Sequence, residues 1–162
     1  MDYRLLGLDP SKVTEHEDGT ISYDGDVSWG SKDFTQFPLK FKTVTGNFYC
    51  SECTSLTSLQ GAPSNVKEDF YCRACTSLTS LEGAPTKVGR DFNCSGCTSL
   101  TSLEGLGKFR EIKLEGSWIN YDAFIKACAE LKDLSILVHK VITQDYSIFP
   151  SWLLINMLKA AQ

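Results

Sequence analysis

FYCSECTSLTSLQGAP, residues 48–63, decides the fold, because it recurs as FYCRACTSLTSLEGAP at 70–85 and as FNCSGCTSLTSLEG at 92–105. Every matching residue therefore lies 22 positions from its counterpart in the next copy. A constant period of this size is typical of a solenoid, in which each copy forms one turn and packs against its neighbours. The sequence thus predicts a repeat architecture before any single element is considered.

Stacking the copies aligns columns of identical apolar residues. The F-x-C alternation has the period of a strand with one buried face, so it predicts one short parallel strand per repeat. The L-T-S-L step and the G-A-P corner then return the chain to the next strand. The predicted interior columns are Val44, Val66 and Val88; Phe48, Phe70 and Phe92; Cys50, Cys72 and Cys94; Cys53, Cys75 and Cys97; Leu56, Leu78 and Leu100; and Leu59, Leu81 and Leu103.

The flanking segments are predicted to close the two ends of the stack. Residues 27–38, VSWGSKDFTQFP, repeat the pattern with one residue fewer, and residues 23–26 have the composition of a hairpin turn that joins Ile21 to Val27. Residues 117–162 lack the repeat, and Pro150 can begin a final apolar helix. We therefore expect an N-terminal arm at 1–19, a leucine-rich-repeat-type α/β solenoid with a capping hairpin at 20–116, and a helical C-terminal cap at 117–162.

Composition predicts one globular unit of the cytoplasm. The chain has 162 residues, of which 42% are hydrophobic and 22% charged. It contains no apolar run long enough to cross a bilayer and no pattern of a signal peptide, and its seven cysteines are an odd number. We expect reduced thiols and no membrane partner.

Charge argues against general binding to nucleic acid. The net charge is −4, and residues 1–33 carry eight acids against three bases, whereas residues 34–116 are close to neutral. Affinity for a phosphate backbone depends on clustered Lys and Arg. The repeat region offers no such cluster in its sequence.

Three C-x-x-C pairs have the formal spacing of a zinc site, whose ligands would come from Cys50, Cys53, Cys72, Cys75, Cys94 and Cys97. The repeat explains the same spacing without metal, because stacked strands place matching thiols in columns. A buried cysteine packs as a small hydrophobic residue and offers a weak S–H donor. We favour this packing role, and a zinc site and regulated disulfides are the alternatives.

The sequence predicts neither catalytic residues nor a cofactor. A reactive cysteine needs a neighbouring cation, but the two histidines, His16 and His139, have no fixed spacing to any cysteine. The glycines occupy repeat corners and form no phosphate loop. We therefore expect a protein that is not an enzyme.

Exposed strand residues are the candidate binding surface. If the columns lie inside, the residues between them face outward, and tyrosine and arginine are typical of interface hot spots. A solvated sheet face is the alternative. Trp152 in the final helix offers a second surface, which either closes the solenoid or binds a partner. The predicted strand surface consists of Tyr49, Ser51, Tyr71, Arg73, Asn93, Ser95 and Lys113.

The stretch SLTSLEGAP after an F-x-C strand resembles the short leucine-rich repeats of small proteins from tailed bacteriophages, in the cysteine-containing variant, with Cys53, Cys75 and Cys97 where the family often has Asn. The resemblance covers residues 19–116 and also includes DGDVSWGSKDFTQFPLKFKTVTGNFYC. It implies a right-handed solenoid and a virus-encoded protein that acts in a bacterial host. It implies no defined activity.

Together these features predict a non-enzymatic module that binds a host or viral protein, with inhibition of a bacterial defence component as the form implied by the resemblance. One alternative is a sponge for a nucleotide signal, in which Tyr49 and Tyr71 stack on bases while Arg73 or Lys113 meets phosphate. A second alternative is a structural module stabilised by zinc.

Overall fold

A computed structural model describes residues 2–102, residue 105 and residues 111–113 of the chain. The strands in this part of the chain are β1 (Val13–Glu15), β2 (Ile21–Tyr23), β3 (Val27–Ser28), β4 (Phe41–Val44), β5 (Phe48–Tyr49), β6 (Asn65–Val66), β7 (Phe70–Tyr71), β8 (Lys87–Val88), β9 (Asp91–Asn93) and β10 (Glu111–Lys113). Two short 3-10 helices, Tyr3–Leu6 and Pro10–Lys12, precede them.

The predicted solenoid is confirmed as an arrangement of parallel strands spaced 22 residues apart. In sheet B, whose order is β10-β9-β7-β5-β3, Phe48 pairs with Phe70 and Phe70 pairs with Phe92. Val27 pairs with Phe48, which is the predicted shorter step of the entry turn. Backbone N–H groups of one turn donate to carbonyls of the next, as from Cys50 to Tyr71 at 2.8 Å. Each turn is thus held to its neighbour along the whole ladder.

The prediction of one strand per repeat is wrong, because each turn contributes two. Sheet A has the order β1-β2-β4-β6-β8, and its parallel pairs align Val44 with Val66 and Val66 with Val88. The valine column was recognised in the sequence, but strands of two residues are too short to show a periodic pattern. A corner of a few residues separates each sheet A strand from the following sheet B strand.

The predicted capping hairpin between Ile21 and Val27 is also wrong. β2 belongs to sheet A and β3 to sheet B, so residues 23–26 form a corner between the sheets. The antiparallel partner of β2 is β1, with Val13 opposite Tyr23 and Glu15 opposite Ile21. A hairpin therefore does cap sheet A, but half of it comes from the segment that the sequence assigned to the N-terminal arm.

The core is a set of stacked columns between the two sheets. Phe48, Phe70 and Phe92 lie ring on ring, with centroids 5.3 and 5.0 Å apart, and all three are fully buried. The leucines and cysteines of the described copies are equally buried. At the first turn Trp29 packs edge-on against Phe48 and donates its indole N–H to the Leu6 carbonyl at 2.7 Å. This contact ties the N-terminal segment to the end of the core.

Glycine at the G-A-P corner is required by close packing between turns. Gly83 has φ +81°, and a Cβ on it would lie 2.5 Å from the backbone nitrogen of Gln60 in the preceding turn. Gly61 and Gly105 have the same left-handed conformation.

The predicted C-terminal helical cap at 117–162 lies outside the described residues.

Candidate binding face

Two tyrosines form the centre of the exposed surface of sheet B. β5 and β7 point Phe48 and Phe70 inward, so the next residues, Tyr49 and Tyr71, point outward. Their rings are parallel within 3° and stack with centroids 5.2 Å apart. Both residues are half-buried. We call the surface formed by Tyr49, Ser51, Tyr71 and Arg73 the tyrosine face.

The hydroxyl of Tyr71 forms a hydrogen bond with a carboxylate at the corner before β7. The hydroxyl donates to Asp69 Oδ2 at 3.2 Å. Burial, followed by the negative charge of Asp69, raises the pKa of Tyr71, because both disfavour the phenolate. The phenol therefore remains a neutral group, and the hydrogen bond limits rotation of the ring.

A ladder of Asp and Asn side chains supports the tyrosines from one side. Asp26 Oδ1 accepts a hydrogen bond from the backbone N–H of Asn47 at 2.7 Å. In the same way, Asn47 Oδ1 accepts from the N–H of Asp69 at 3.1 Å, and Asp69 Oδ1 accepts from the N–H of Asp91 at 2.8 Å. The sequence analysis did not identify this ladder, although the regular spacing of the four residues is its signal. Each side-chain oxygen accepts a backbone N–H at a corner, which stiffens the start of β5, β7 and β9.

Arg73 extends the tyrosine face with a cation. Its backbone N–H donates to Ser51 Oγ at 3.3 Å, while its side chain is exposed. The one ion pair in the described ranges joins Arg90 to Glu68, so no described carboxylate neutralises Arg73. Ser51 therefore positions the backbone, and the guanidinium is directed to solvent.

Asn93 does not face outward as predicted, whereas Ser95 is half-buried in the same way as Ser51. Asn93 is only 8% exposed, and its Oδ1 accepts from the backbone N–H of Ser95 at 3.1 Å and from the Ser95 hydroxyl at 2.7 Å. An amide short enough to bond to the residue two positions ahead turns back to its own chain, unlike a tyrosine. Lys113 pairs with Asn93 in the parallel register, which places its backbone at the next position along sheet B, as predicted. Trp152 lies outside the described residues.

The thiols lie inside the solenoid and hydrogen-bond to backbone. As predicted for packing thiols, the second sulfur of each pair donates to a carbonyl of the preceding turn: Cys53 to Trp29 at 3.1 Å, Cys75 to Cys50 at 3.2 Å and Cys97 to Cys72 at 3.1 Å. None of the six cysteines of the described copies forms a disulfide. Burial raises the pKa of the Cys50 and Cys72 thiols well above the usual range.

The described side chains do not form a metal site. Within residues 2–102, no three His, Cys, Asp or Glu side chains are grouped so as to hold an ion. His16 directly follows β1 and is bonded through Nε2 to the Ser22 hydroxyl at 2.8 Å. His139 lies outside the described residues.

A shallow groove lies at the G-A-P corners. It has a volume of about 370 Å³ and spans the entry turn and the first and second copies. Its walls combine buried aromatic and alanine side chains with exposed polar ones, and they include Gln36, Phe37, Lys40, Phe41, Gln60, Ala62 and Ala84. Lys40 is the one charged residue in this lining, and we assign the groove no chemistry.

Comparisons with protein-family models, with curated proteins and with solved structures find no match for this chain. Within the described residues, no helix has the length and apolar character needed to span a bilayer. The function must therefore be argued from the tyrosine face itself.

Proposed function

We propose that this chain is a non-enzymatic protein-binding module and that its partner docks on the tyrosine face. The observation that carries the proposal is the parallel, half-exposed pair of Tyr49 and Tyr71 beside the exposed Arg73, which forms no ion pair with a carboxylate in the described part of the chain. Tyrosine and arginine supply much of the binding energy at protein interfaces, because they combine a large contact area with directional hydrogen bonds.

Rigidity of the face supports this function. The tyrosines are fixed by strand pairing, by ring stacking and, for Tyr71, by Asp69. A surface that is ordered before binding loses little conformational entropy when the complex forms.

The class of partner is taken from the resemblance to small leucine-rich-repeat proteins of tailed phages. It leads to a bacterial host protein, and a component of host defence is the first to test. This step rests on analogy with the repeat pattern. The chemistry of the face itself requires only a partner with aromatic and acidic groups.

The test is a quantitative pull-down from bacterial lysate with three forms of the full chain. These are the wild type, the double variant Tyr71→Ala with Arg73→Ala, and a control, Lys67→Ala with Lys87→Ala, which changes exposed residues on the sheet A side. We expect a host protein to be enriched by the wild type and the control and lost with the tyrosine-face variant. Equal enrichment by all three forms, or none by any, would contradict the proposal.

The nucleotide sponge is the second candidate, and the ring geometry limits it. A base held between two rings needs a separation of about 7 Å, twice the optimal carbon–carbon distance. Tyr49 and Tyr71 are 5.2 Å apart, so a base does not fit between them in this arrangement. The candidate retains Arg73 and the outer ring surfaces, and a thermal-shift screen with nucleotides tests it.

A further inference from the structure

The two sheets differ at their N-terminal ends. In sheet A, β1 pairs antiparallel with β2 and covers its outer side. In sheet B, β3 is the terminal strand at this end, and no strand in the described part of the chain pairs with its outer side. An uncovered strand presents N–H and C=O groups that can pair with another chain, which is why proteins usually protect such edges. Sheet B can therefore accept a further strand beside β3.

The hydrogen bonds of the entry turn show which backbone groups lie on this outer side. Val27, Trp29 and Ser31 donate their N–H groups to carbonyls of the next turn at 2.9, 2.7 and 2.8 Å. Successive residues of a strand turn their N–H and C=O groups to opposite sides, so those of Ser28 and Gly30 point away from β5. We call this side of residues 26–30 the β3 edge. Its length of about five residues is that of an ordinary strand.

The β3 edge is accessible from solvent. Asp26, Ser28 and Gly30 are all exposed. A Cβ built on Gly30 would meet only the Ser51 carbonyl oxygen, at 3.4 Å, outside its chain neighbours. Among residues 2–102, no other atom therefore crowds the outer surface at this end of the edge.

Charge decides which kind of strand the edge favours. The Asp26 carboxylate begins the edge, and its Oδ1 accepts from the backbone N–H and the side-chain amide of Asn47 at 2.7 and 3.2 Å. Asp26 forms no ion pair within the described ranges, where the one pair joins Arg90 to Glu68. Residues 1–33 carry eight acids against three bases. A second copy of this chain would bring the same acidic segment to the edge, so like charges oppose self-pairing, whereas a basic segment is attracted.

We propose that an extended, basic segment of another protein adds to the β3 edge as a further strand of sheet B. Its backbone pairs with the N–H and C=O groups of Ser28 and Gly30, and its lysine or arginine side chains lie against Asp26. This surface is distinct from the tyrosine face, and the inference does not rest on the proposed function.

Proline at position 28 tests the pairing without breaking the ladder. Because the Ser28 N–H points away from β5, Ser28→Pro removes a donor to the incoming strand and no hydrogen bond to the next turn. Ser28→Ala is the matched control, since it keeps the N–H and removes only the hydroxyl. Near-UV circular dichroism and the urea midpoint verify that both variants fold.

Hydrogen exchange of the free full chain, followed by NMR, is the first measurement. We expect slow exchange for the amides of Val27 and Trp29 and rapid exchange for those of Ser28 and Gly30. Slow exchange of Ser28 in dilute protein would show that the chain covers its own edge. Slow exchange that develops only as the protein concentration rises would assign the edge to a second copy. Either result would overturn the inference.

The second measurement is titration with end-blocked peptides of about six residues, the usual length of a strand. The probe alternates lysine and valine. One control peptide alternates glutamate and valine, and the other is the lysine peptide with methylated backbone nitrogens, which cannot donate to a strand. We expect only the lysine probe to bind and to slow exchange of the Ser28 amide by about tenfold or more.

The variants complete the titration. Ser28→Ala should bind the lysine probe as the wild type does, and Ser28→Pro should bind it about tenfold more weakly or not at all. No binding of the probe to the wild type, equal binding of either control peptide, or equal affinity of Ser28→Pro and wild type would each overturn the inference. Should Ser28→Pro not fold, the methylated peptide tests the same hydrogen bonds from the other side.

Two further variants test the charge and the location. Asp26→Asn keeps an oxygen for the Asn47 N–H and removes the charge, so it should bind the lysine probe about threefold more weakly and with less dependence on salt. Unchanged affinity and salt dependence would contradict the choice of a basic occupant. The double variant Tyr71→Ala with Arg73→Ala leaves the β3 edge intact and should bind the probe as the wild type does. Loss of binding in this double variant would place the peptide on the tyrosine face and overturn the inference.

Discussion

Replacement of Phe70 by alanine tests whether the phenylalanine column carries the stability of the stack. Phe70 is fully buried, and its two ring faces are covered by Phe48 at 5.3 Å and Phe92 at 5.0 Å. A buried Phe→Ala substitution costs about 3–5 kcal/mol, depending on how far the surroundings relax into the cavity. Here the neighbours are held by ladder bonds of 2.9 Å from Phe48 N to the Asp69 carbonyl and 2.8 Å from Cys72 N to the Asn93 carbonyl. Because relaxation is restricted, we expect a loss of about 4 kcal/mol.

Urea unfolding, followed by circular dichroism and by fluorescence, measures this loss. With a slope of about 2 kcal/mol per molar urea, the midpoint should fall by about 2 M. The control is Thr76→Ala in the same turn, which removes an exposed side chain and should change the free energy of unfolding by less than about 0.5 kcal/mol. A loss below about 1.5 kcal/mol for Phe70→Ala, well under the core range, would refute the reasoning that these rings form one packed column.

Three further predictions concern backbone conformation, the polar ladder and pH. Gly83→Ala should destabilise the chain by more than about 2 kcal/mol, because a backbone clash adds to the strain of the left-handed conformation. Ala74→Gly should stabilise the chain by about 1 kcal/mol, because Ala74 has φ +54°. Thermal unfolding compares the two variants, and stability changes of the same sign would contradict the argument. Asp69→Ala should lower the free energy of unfolding by about 1–3 kcal/mol, because it removes the oxygen that accepts the Asp91 N–H. Asp69→Asn retains an acceptor oxygen and should lower it less. Equal losses of stability in urea would show that this hydrogen bond is not the cause. Because the pKa of Tyr71 is raised in the folded chain, the unfolded chain loses this phenolic proton first as the pH rises. The stability of the wild type should therefore decline above about pH 10, and the stability of Tyr71→Phe should decline less. Identical pH profiles for the two chains would exclude this contribution.

The interior of the solenoid could be predicted because it is the part that repeats. Every apolar column with described members is buried, and the one-residue contraction of the entry turn appears as the pairing of Val27 with Phe48. Identical residues at a constant interval carry this information directly, since neighbouring turns must place equal side chains side by side. The thiol donors to carbonyls followed from the same stacking.

The strands of sheet A and the true capping hairpin could not be predicted by periodicity. β6 and β8 have two residues each, and β1 contains Val13 as its one apolar residue. None of these three strands therefore shows an alternation of apolar and polar residues. Tertiary pairing with an adjacent turn defines these strands, and local sequence does not encode it. The corner at residues 23–26 has hairpin composition because both kinds of turn need the same residues.

The tyrosine face was predicted in part. The strand period was sufficient to place Tyr49 and Tyr71 outside, but it could not show that their rings stack or that Asn93 turns inward. The direction of Asn93 depends on its bonds to Ser95, which are local chemistry without a periodic signal.

The most direct test of the account is detection by NMR of scalar couplings across the hydrogen bonds between turns in the full chain. The account predicts coupling from the amide nitrogen of Phe48 to the carbonyl carbon of Asp69, from Cys50 to Tyr71 and from Cys72 to Asn93, at N–O distances of 2.8 to 2.9 Å. Couplings that join these amides to carbonyls within their own copy, or none between copies, would contradict the claim that the copies stack side by side as one core.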